Sequence, residues 1–307
     1  SNEDLYKLTE EGNFEEPAKK GVILQTPCPL AGYVETVLKT SGIKDFGNLK
    51  IAIDTANGMG GLILPKLLKD KNCTVYPLYF EIDGRFPNHE ANPLKEETLA
   101  DLKKLVLEKG ANLGVAFDGD GDRVAFIDEK GQGIAGDIIT ALIAKEILKD
   151  NPGATILYDL RSSWAVKEEI EKAGGKAVMC RVGHGLIKRQ MREMDAVFAG
   201  ELSSHYYFRD FYTTDNGDLA MLKILQLMVD ENIPLSEMAA PIMRYSHSPE
   251  INSKVKDVNA KLKEIKERYK NGRIIELDGL TVEFDDWWFN VRPSQTEPLL
   301  RLNVEAT

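Results

Sequence analysis

With 307 residues, 43% of them hydrophobic, the chain is long enough for two or three domains with apolar cores. Its formal net charge of −10 argues against nucleic acid or an anionic membrane as the main partner, because both attract basic surfaces. No apolar stretch is long enough to span a bilayer and the start, "SNEDLYKL", does not read as a signal peptide, so we expect a cytoplasmic protein.

The predicted elements begin after residue 29. Residues 1–29 are charged and interrupted by three prolines, which is typical of a tail or an interdomain connector. From residue 30 to 133 the pattern predicts an α/β domain: an apolar strand in "LKIAID", a glycine-rich turn in "DTANGMGG" that starts a helix, and a helix that ends at Gly110. "LGVAF" and "RVAFID" then predict two strands joined by the acidic loop "DGDGDR".

A second α/β domain is predicted for residues 134–244. The segments "DIITALIAKEILKD", "ATILYDL", "AVKEEIEKAG" and "KAVMCRVG" alternate between helix and strand, which indicates a largely parallel sheet covered by helices. Residues 245–307 change character, with one amphipathic helix, "VKDVNAKLKEIKERYKNG", and alternating strands afterwards. The predicted fold class is therefore α/β: two similar domains with mixed, largely parallel sheets, followed by a smaller α+β domain that ends directly after a strand.

Cysteine usage adds one expectation. Cys28, Cys73 and Cys180 are odd in number, far apart and without C-x-x-C spacing. We therefore predict reduced, buried thiols rather than a disulfide framework.

The acidic loop admits three interpretations. Asp and Gly are common turn residues, so a solvated acidic turn is the simplest. An EF-hand fits Asp118, Asp120, Asp122 and Glu129, but Arg123 stands where the sixth position needs glycine and the flanking segments resemble strands. The third, which we favour, is a site for a hard divalent cation such as Mg²⁺, whose charge would offset the repulsion among three carboxylates and which commonly binds phosphate oxygens as well.

Four other segments carry candidate polar groups. "VRPSQTEP" offers an arginine fork, hydroxyls and turn amides suited to a phosphate dianion, or else an ordinary polar turn. "AGELSSHYYFRD" could contact sugar hydroxyls, or equally form a hydrogen-bonded structural turn. "RVGHGLIKRQM" and "DLRSS" place His184 and Arg161 at strand ends. A fifth segment, "DTANGMGG", lacks the third glycine of a dinucleotide-binding loop, since Ile63 falls there. We therefore interpret it as a turn that starts a helix and not as a dinucleotide site.

Together these motifs resemble the α-D-phosphohexomutase superfamily, in its phosphomannomutase/phosphoglucomutase branch. "DGDGDR" is similar to the family's metal loop, "GELSSH" to its sugar-recognition loop and "RPSQTEP" to its phosphate-binding loop, while "GRFPNHEANPLKEETL" and "VGHGLIK" match in kind and order. The resemblance covers residue 25 to the C-terminus. Ser204 and Gln295 stand where the family has Gly, and Gly or Asn, so the choice between mannose and glucose stays open.

The resemblance implies a phosphohexomutase that interconverts hexose 6-phosphate and hexose 1-phosphate through a phosphoserine and a bisphosphate intermediate. It implies that Asp118, Asp120 and Asp122 hold Mg²⁺, and that Arg123 supports this site. His184 is implied as a general acid/base. The implied substrate contacts are Arg161, His205, Glu201 and Ser203 at the sugar, and Arg292, Ser294, Gln295 and Thr296 at the phosphate that is not transferred.

One family feature is missing from the sequence. Family members have four domains, the first with a phosphoserine in a T-A-S-H-N-P loop, and that loop occurs nowhere in these 307 residues. The resemblance therefore implies domains two, three and most of four, with hexose phosphates and the first domain as partners and no activity for this chain alone. Two alternatives remain: a non-catalytic sugar-phosphate-binding or regulatory protein, and a metal-dependent phosphatase, which would need a D-x-D-x-[TV] element.

Overall fold

The computed structural model describes residues 2–12, 14–26, 28–294 and 299–307. The chain opens with helix α1 (Asn2–Glu11), whose described side chains are exposed. The sequence analysis did not predict this helix, in which Leu5 and Leu8 lie one helical turn apart among good helix formers. Residues 14–26 are exposed and form no regular helix or strand.

The first α/β domain contains a five-stranded mixed sheet. The glycine-rich turn leads into a helix at Gly60, and the left-handed Gly110 (φ 55°) ends another, as the sequence predicted. The elements of this domain are α2 (Leu30–Ser41), β1 (Lys50–Asp54), α3 (Gly60–Leu67), β2 (Thr74–Leu78), a 3₁₀ turn (Glu96–Leu99), α4 (Ala100–Lys109), β3 (Leu113–Phe117), β4 (Val124–Ile127) and β5 (Gly133–Ile134). The sheet has the order β2-β1-β3-β4-β5, in which β1 pairs in parallel with β2 and β3 and the last two pairings are antiparallel.

The second α/β domain repeats this topology. Its elements are α5 (Gly136–Asp150), β6 (Thr155–Asp159), α6 (Trp164–Lys172), β7 (Lys176–Cys180), α7 (His184–Met194), β8 (Phe198–Gly200), β9 (Tyr206–Phe208), β10 (Thr214–Asp215), α8 (Gly217–Glu231) and α9 (Leu235–Ala239). The sheet has the order β10-β9-β8-β6-β7, and β6 pairs in parallel with both β7 and β8. The structure thus confirms the prediction of two similar α/β domains.

The two α/β domains share one hydrophobic core, because α8 packs against strand β4 of the first domain as well as against α5 of its own. Helix α2 also packs on α8. There the hydroxyl of Tyr33 donates to Asp218 Oδ2 (2.7 Å) and accepts from Asn216 Nδ2 (2.8 Å). A single core across two sheets holds the loops at their edges in a fixed relation.

The third domain is an antiparallel sheet with one helix. The helix places Val258, Leu262 and Ile265 against the sheet, as its spacing predicted. The elements are β11 (Ser246–His247), β12 (Ile251–Lys254), α10 (Val258–Arg268), β13 (Arg273–Ile275), β14 (Leu280–Glu283), β15 (Trp287–Pro293) and β16 (Leu299–Ala306). The strand order is β11-β16-β15-β14-β13, with β12 also pairing with β16.

The three cysteines differ in burial. The three thiols are free, but only Cys180 is buried, while Cys73 is half-buried and Cys28 is exposed. The prediction of buried thiols is therefore wrong for Cys28, which lies in the exposed segment before α2. Within the described residues, we find no helix with the length and hydropathy required to cross a bilayer.

Candidate functional site

The acidic loop joins the antiparallel strands β3 and β4. Asp118 is 2% exposed, and its Oδ1 accepts the backbone N–H groups of Gly121 (3.0 Å) and Arg123 (3.2 Å). Its Oδ2 is bound by Arg123 Nε at 2.7 Å. These bonds curl the loop so that Asp120 and Asp122 return beside Asp118, with one oxygen of each of the three within 4.8 Å of the others.

The electrostatics of this loop favour a cation. Burial, together with the charges of Asp118 and Asp120, raises the pKa of Asp122 to about 6. A hard divalent ion would relieve that repulsion, and three convergent carboxylate oxygens suit Mg²⁺. The flanking elements are strands, which excludes an EF-hand. Among the interpretations of the loop, the geometry fits the divalent-cation site.

The sugar-loop candidate joins β8 to β9 and centres on Glu201, which is only 2% exposed. Its Oε1 accepts the N–H of Gly183 (3.1 Å), and its Oε2 accepts the hydroxyl of Tyr207 (2.8 Å) and lies 3.2 Å from His205 Nδ1. Burial alone would raise the pKa of Glu201, but His205 and these donors lower it. For His205 the directions are reversed: burial alone would lower its pKa, but the neighbouring Glu201 and Asp122 raise it. Glu201 therefore anchors a hydrogen-bonded turn.

The acidic loop and the sugar loop meet, although 82 positions separate Arg123 from His205. These two residues form an isolated antiparallel β-bridge, and Val124 N–H donates to the carbonyl of Ser204 (3.2 Å). His205 Nε2 lies 3.6 Å from Asp122 Oδ1. Ser204 holds φ at 65°, a left-handed conformation that favours glycine. That backbone angle gives a physical reason for the glycine of related motifs at this position.

Arg161 and Ser203 line a cavity of about 800 Å³ between the domains, and Glu250 and Arg301 of the third domain also line it. Arg161 is 7% exposed. Burial would lower its pKa, but the adjacent Asp159 carboxylate raises it, so the guanidinium stays charged. The residues lining this cavity do not include the three loop aspartates, His184, Glu201, His205 or Arg292. The cavity therefore includes the candidate residues Arg161 and Ser203 but not the acidic loop.

His184 is the exposed first residue of α7. It follows Gly183, whose φ of 119° is rarely adopted by other residues and whose N–H reaches Glu201. One turn further, Lys188 Nζ pairs with Asp215 Oδ1 at 2.8 Å, and Asp215 lies in a second acidic group with Asp122 and His205. The sequence reasoning missed this pair, although Lys188 stood inside the quoted motif.

The phosphate-loop candidate is described only in part, since Gln295 and Thr296 lie outside the described residues. Arg292 and Arg301 are opposite each other on β15 and β16. Glu250 joins them, with one oxygen 3.2 Å from Arg292 Nη2 and the other 3.1 Å from Arg301 Nη1. Ser294 N–H donates to the carbonyl of Leu299 (2.9 Å). Glu250 and Arg301 were not predicted, because nothing in the sequence pairs position 250 with positions 292 and 301.

Comparison with protein-family models gives three consecutive matches. Residues 31–132 match phosphoglucomutase/phosphomannomutase alpha/beta/alpha domain II, residues 135–245 match alpha/beta/alpha domain III, and residues 250–307 match the C-terminal domain. Together they cover well over half of the chain.

Three of the proteins similar to this chain are named as mutases. A phosphomannomutase of Methanocaldococcus jannaschii is 47% identical over 257 residues, which is 84% of this chain and 57% of that protein. A phosphoglucomutase/phosphomannomutase family protein from Burkholderia thailandensis superposes with a TM-score of 0.90 at 32% identity, over 99% of this chain and 65% of that one. Aspergillus fumigatus N-acetylphosphoglucosamine mutase, solved with GlcNAc-6P and magnesium, has a TM-score of 0.63 at 17% identity over 90% and 61%, and so shows the shared fold. The chain thus spans about three fifths of the length of these relatives.

Proposed function

The chain belongs to the phosphoglucomutase/phosphomannomutase family, and from this premise we propose that it provides the metal-, sugar- and phosphate-binding domains of a phosphohexomutase. The reaction is the interconversion of hexose 6-phosphate and hexose 1-phosphate, with mannose, glucose or both as the hexose. It proceeds through a phosphoserine and a hexose 1,6-bisphosphate. A cytoplasmic location remains a prediction from composition.

The observation that carries this proposal is the junction of two loops from different domains. The β-bridge between Arg123 and His205, with His205 3.6 Å from Asp122, brings an acidic metal-type loop beside a loop of sugar-binding type. A generic α/β domain has no need for this junction. A phosphoryl transferase that acts on sugars needs both chemistries at one place.

Asp118, Asp120 and Asp122 would hold Mg²⁺, because they provide hard oxygen ligands in one group. When bound, the ion would draw charge from a phosphoryl oxygen. Arg123 has a supporting role: its guanidinium fixes the buried Asp118 (2.7 Å) and adds positive charge at the edge of the loop. The magnesium in the solved A. fumigatus mutase is consistent with this assignment.

The substrate would lie between the sugar loop and the third domain. Its hydroxyls would contact Ser203, His205 and the remaining acceptor positions of Glu201. The phosphate that is not transferred would be held by Arg292, Ser294, Gln295 and Thr296, since an arginine fork and hydroxyl donors suit a dianion. Arg161 would contact the substrate from the cavity, and His184, exposed at the start of α7, would move a proton.

The phosphoryl donor would come from outside these 307 residues, because they contain no T-A-S-H-N-P sequence. We accordingly expect no mutase turnover by this chain alone with mannose 1-phosphate or glucose 1-phosphate. The same absence keeps open a second function, a non-catalytic sugar-phosphate-binding protein. Turnover by the purified chain, free of host mutase, would contradict the proposed origin of the phosphoserine.

Binding tests the shared part of both functions. We expect calorimetric binding of mannose 6-phosphate and glucose 1-phosphate, and almost none of the free sugars. Arg292→Ala should weaken this binding about thirtyfold, since it removes a charge-assisted contact worth roughly 2 kcal/mol. Arg273→Ala is the matched control: the same kind of residue in the same domain, but exposed and paired with Glu283.

Glu201→Ala separates sugar from phosphate recognition. It should weaken binding of the hexose phosphate and leave inorganic phosphate unaffected, because the proposal assigns Glu201 to the sugar hydroxyls and not to the phosphate. Equal affinity for mannose and mannose 6-phosphate, or no effect of Arg292→Ala, would refute the assignment. Restored turnover after adding a separately produced first domain would favour the mutase over the binding protein.

A further inference from the structure

Asp159, the last residue of β6, is fully buried and connects two parts of the candidate site. Its Oδ1 accepts the backbone N–H of Arg161 (2.7 Å) and Arg161 Nε (3.2 Å). Its Oδ2 accepts Arg161 Nη2 (2.6 Å) and the backbone N–H of Leu202 (2.8 Å). One carboxylate thus binds a guanidinium at two points and also fixes the sugar loop.

These bonds set the distance between two groups that face the same cavity. Arg161 and Ser203 both line it, and Leu202 lies between Glu201 and Ser203 in the sugar loop. Because Arg161 is held by a bidentate, charge-assisted contact, its guanidinium has little freedom to swing. Movement of the sugar loop away from Arg161 would break the bond from Leu202 N–H and leave a buried carboxylate oxygen with one donor fewer.

The first α/β domain offers an internal comparison. Asp54 ends β1, the strand at the same place in the repeated topology, and is 1% exposed. It accepts the N–H of Ala56 (2.7 Å), as Asp159 accepts that of Arg161 two positions on. Its other contact is His89 Nε2 (3.0 Å), and none of its bonds within the described residues reaches the loop between β3 and β4. The turn is shared by both domains, whereas a bond from this carboxylate to the loop that follows the third strand of the topology occurs in the second.

We infer that Asp159 is a positioning residue for sugar-phosphate binding, which holds the Arg161 guanidinium and the sugar loop at the separation that a hexose phosphate requires. The inference rests on the proposed function for its ligand. It assigns Asp159 no contact with the substrate and no proton transfer.

The first experiment needs no ligand. Hydrogen exchange, followed amide by amide in the full chain, should show a protected Leu202 N–H in the wild type and a much faster one in Asp159→Asn. Asp54→Asn, the matched control, should leave Leu202 unchanged. Equal exchange rates of the Leu202 amide in the wild type and in Asp159→Asn would overturn the inference. If Asp159→Asn does not fold, the wild type alone decides: an unprotected Leu202 amide would overturn the inference.

The second experiment is a double-mutant cycle read by calorimetry with mannose 6-phosphate and glucose 1-phosphate. Asp159→Asn should weaken binding about tenfold in the wild-type background, as expected for the loss of a charge-assisted contact. In the Arg161→Ala background the same change should have an effect of about threefold or less, because only the link to Leu202 remains. Mg²⁺ affinity and inorganic phosphate affinity, which a general loss of folding would reduce, should stay unchanged.

Equal losses in both backgrounds would overturn the inference, because Asp159 would then act independently of Arg161. A wild-type chain that binds neither hexose phosphate would refute the proposed function instead. In that case the exchange of Leu202 would still decide whether Asp159 holds the loop.

Discussion

Asp218, buried beneath α2, should make the stability of the chain depend on pH in a way that one substitution removes. Burial raises the pKa of Asp218 from 3.8 to about 6, although the Tyr33 hydroxyl at 2.7 Å partly opposes the shift. The folded state therefore binds this proton more tightly than the unfolded state. The stabilisation is fully present below about pH 4 and is lost as the pH rises through about 6.

The magnitude follows from the shift. A difference of about two pKa units corresponds to about 3 kcal/mol. Asp218 lies in the first turn of α8, where the helix dipole favours the ionised form by up to about 1 kcal/mol. We therefore expect a net penalty of about 2 kcal/mol for the ionised carboxylate at neutral pH.

Asp218→Asn should remove this penalty, because the amide is neutral at every pH and its oxygen can still accept from Tyr33. Urea unfolding followed by circular dichroism between pH 4.5 and 8 measures the free energy of unfolding of both proteins. The difference in the free energy of unfolding, Asp218→Asn minus wild type, should increase by about 2 kcal/mol from pH 4.5 to pH 8. Tyr33→Phe is a useful control, because loss of its hydrogen bond should move the wild-type inflection to higher pH.

Parallel curves for Asp218→Asn and the wild type across this range would refute the reasoning. The reasoning would also be refuted if the stability of the variant relative to the wild type were lower at pH 8 than at pH 5. Other titrating groups are the same in both proteins, so the difference between the curves isolates Asp218.

Three other changes test the loop and its support. Asp120→Asn should weaken Mg²⁺ binding roughly tenfold, or about 1.4 kcal/mol by calorimetry, because it removes one of three ligand charges; unchanged binding would leave only an acidic turn. Gly58→Ala should destabilise the chain by about 1–3 kcal/mol and also weaken Mg²⁺ binding, because its Cβ would meet Gly119 O at 2.6 Å; normal Mg²⁺ affinity would show that the loop tolerates this displacement. Gly32→Ala, inside α2 with nothing within 4 Å, should instead raise thermal stability by about 0.5–1 kcal/mol without affecting Mg²⁺ binding.

Much of the fold could be predicted from local patterns. Strands β3 and β4 are continuous apolar runs, the amphipathic spacing of α10 defines its buried face, and Gly110 ends α4 in the conformation that glycine favours. The chemical types of the acidic loop, the sugar loop and Arg292 were likewise evident, because a ligand type is a property of the side chain itself. The exception is the exposed helix α1. It was not predicted, because the charged, proline-interrupted composition of residues 1–29 indicates a tail or connector.

Contacts between distant segments were decided by the tertiary structure alone. The sequence by itself indicated that Asp122 lies in a loop between strands and that His205 lies in a polar segment, but their 3.6 Å separation depends on two sheets packing around one shared core. The same holds for the bond from Leu202 to Asp159 and for Glu250 between Arg292 and Arg301. Periodicity reports which face of an element is buried, whereas the partner across that face is selected by the packing of the whole domain.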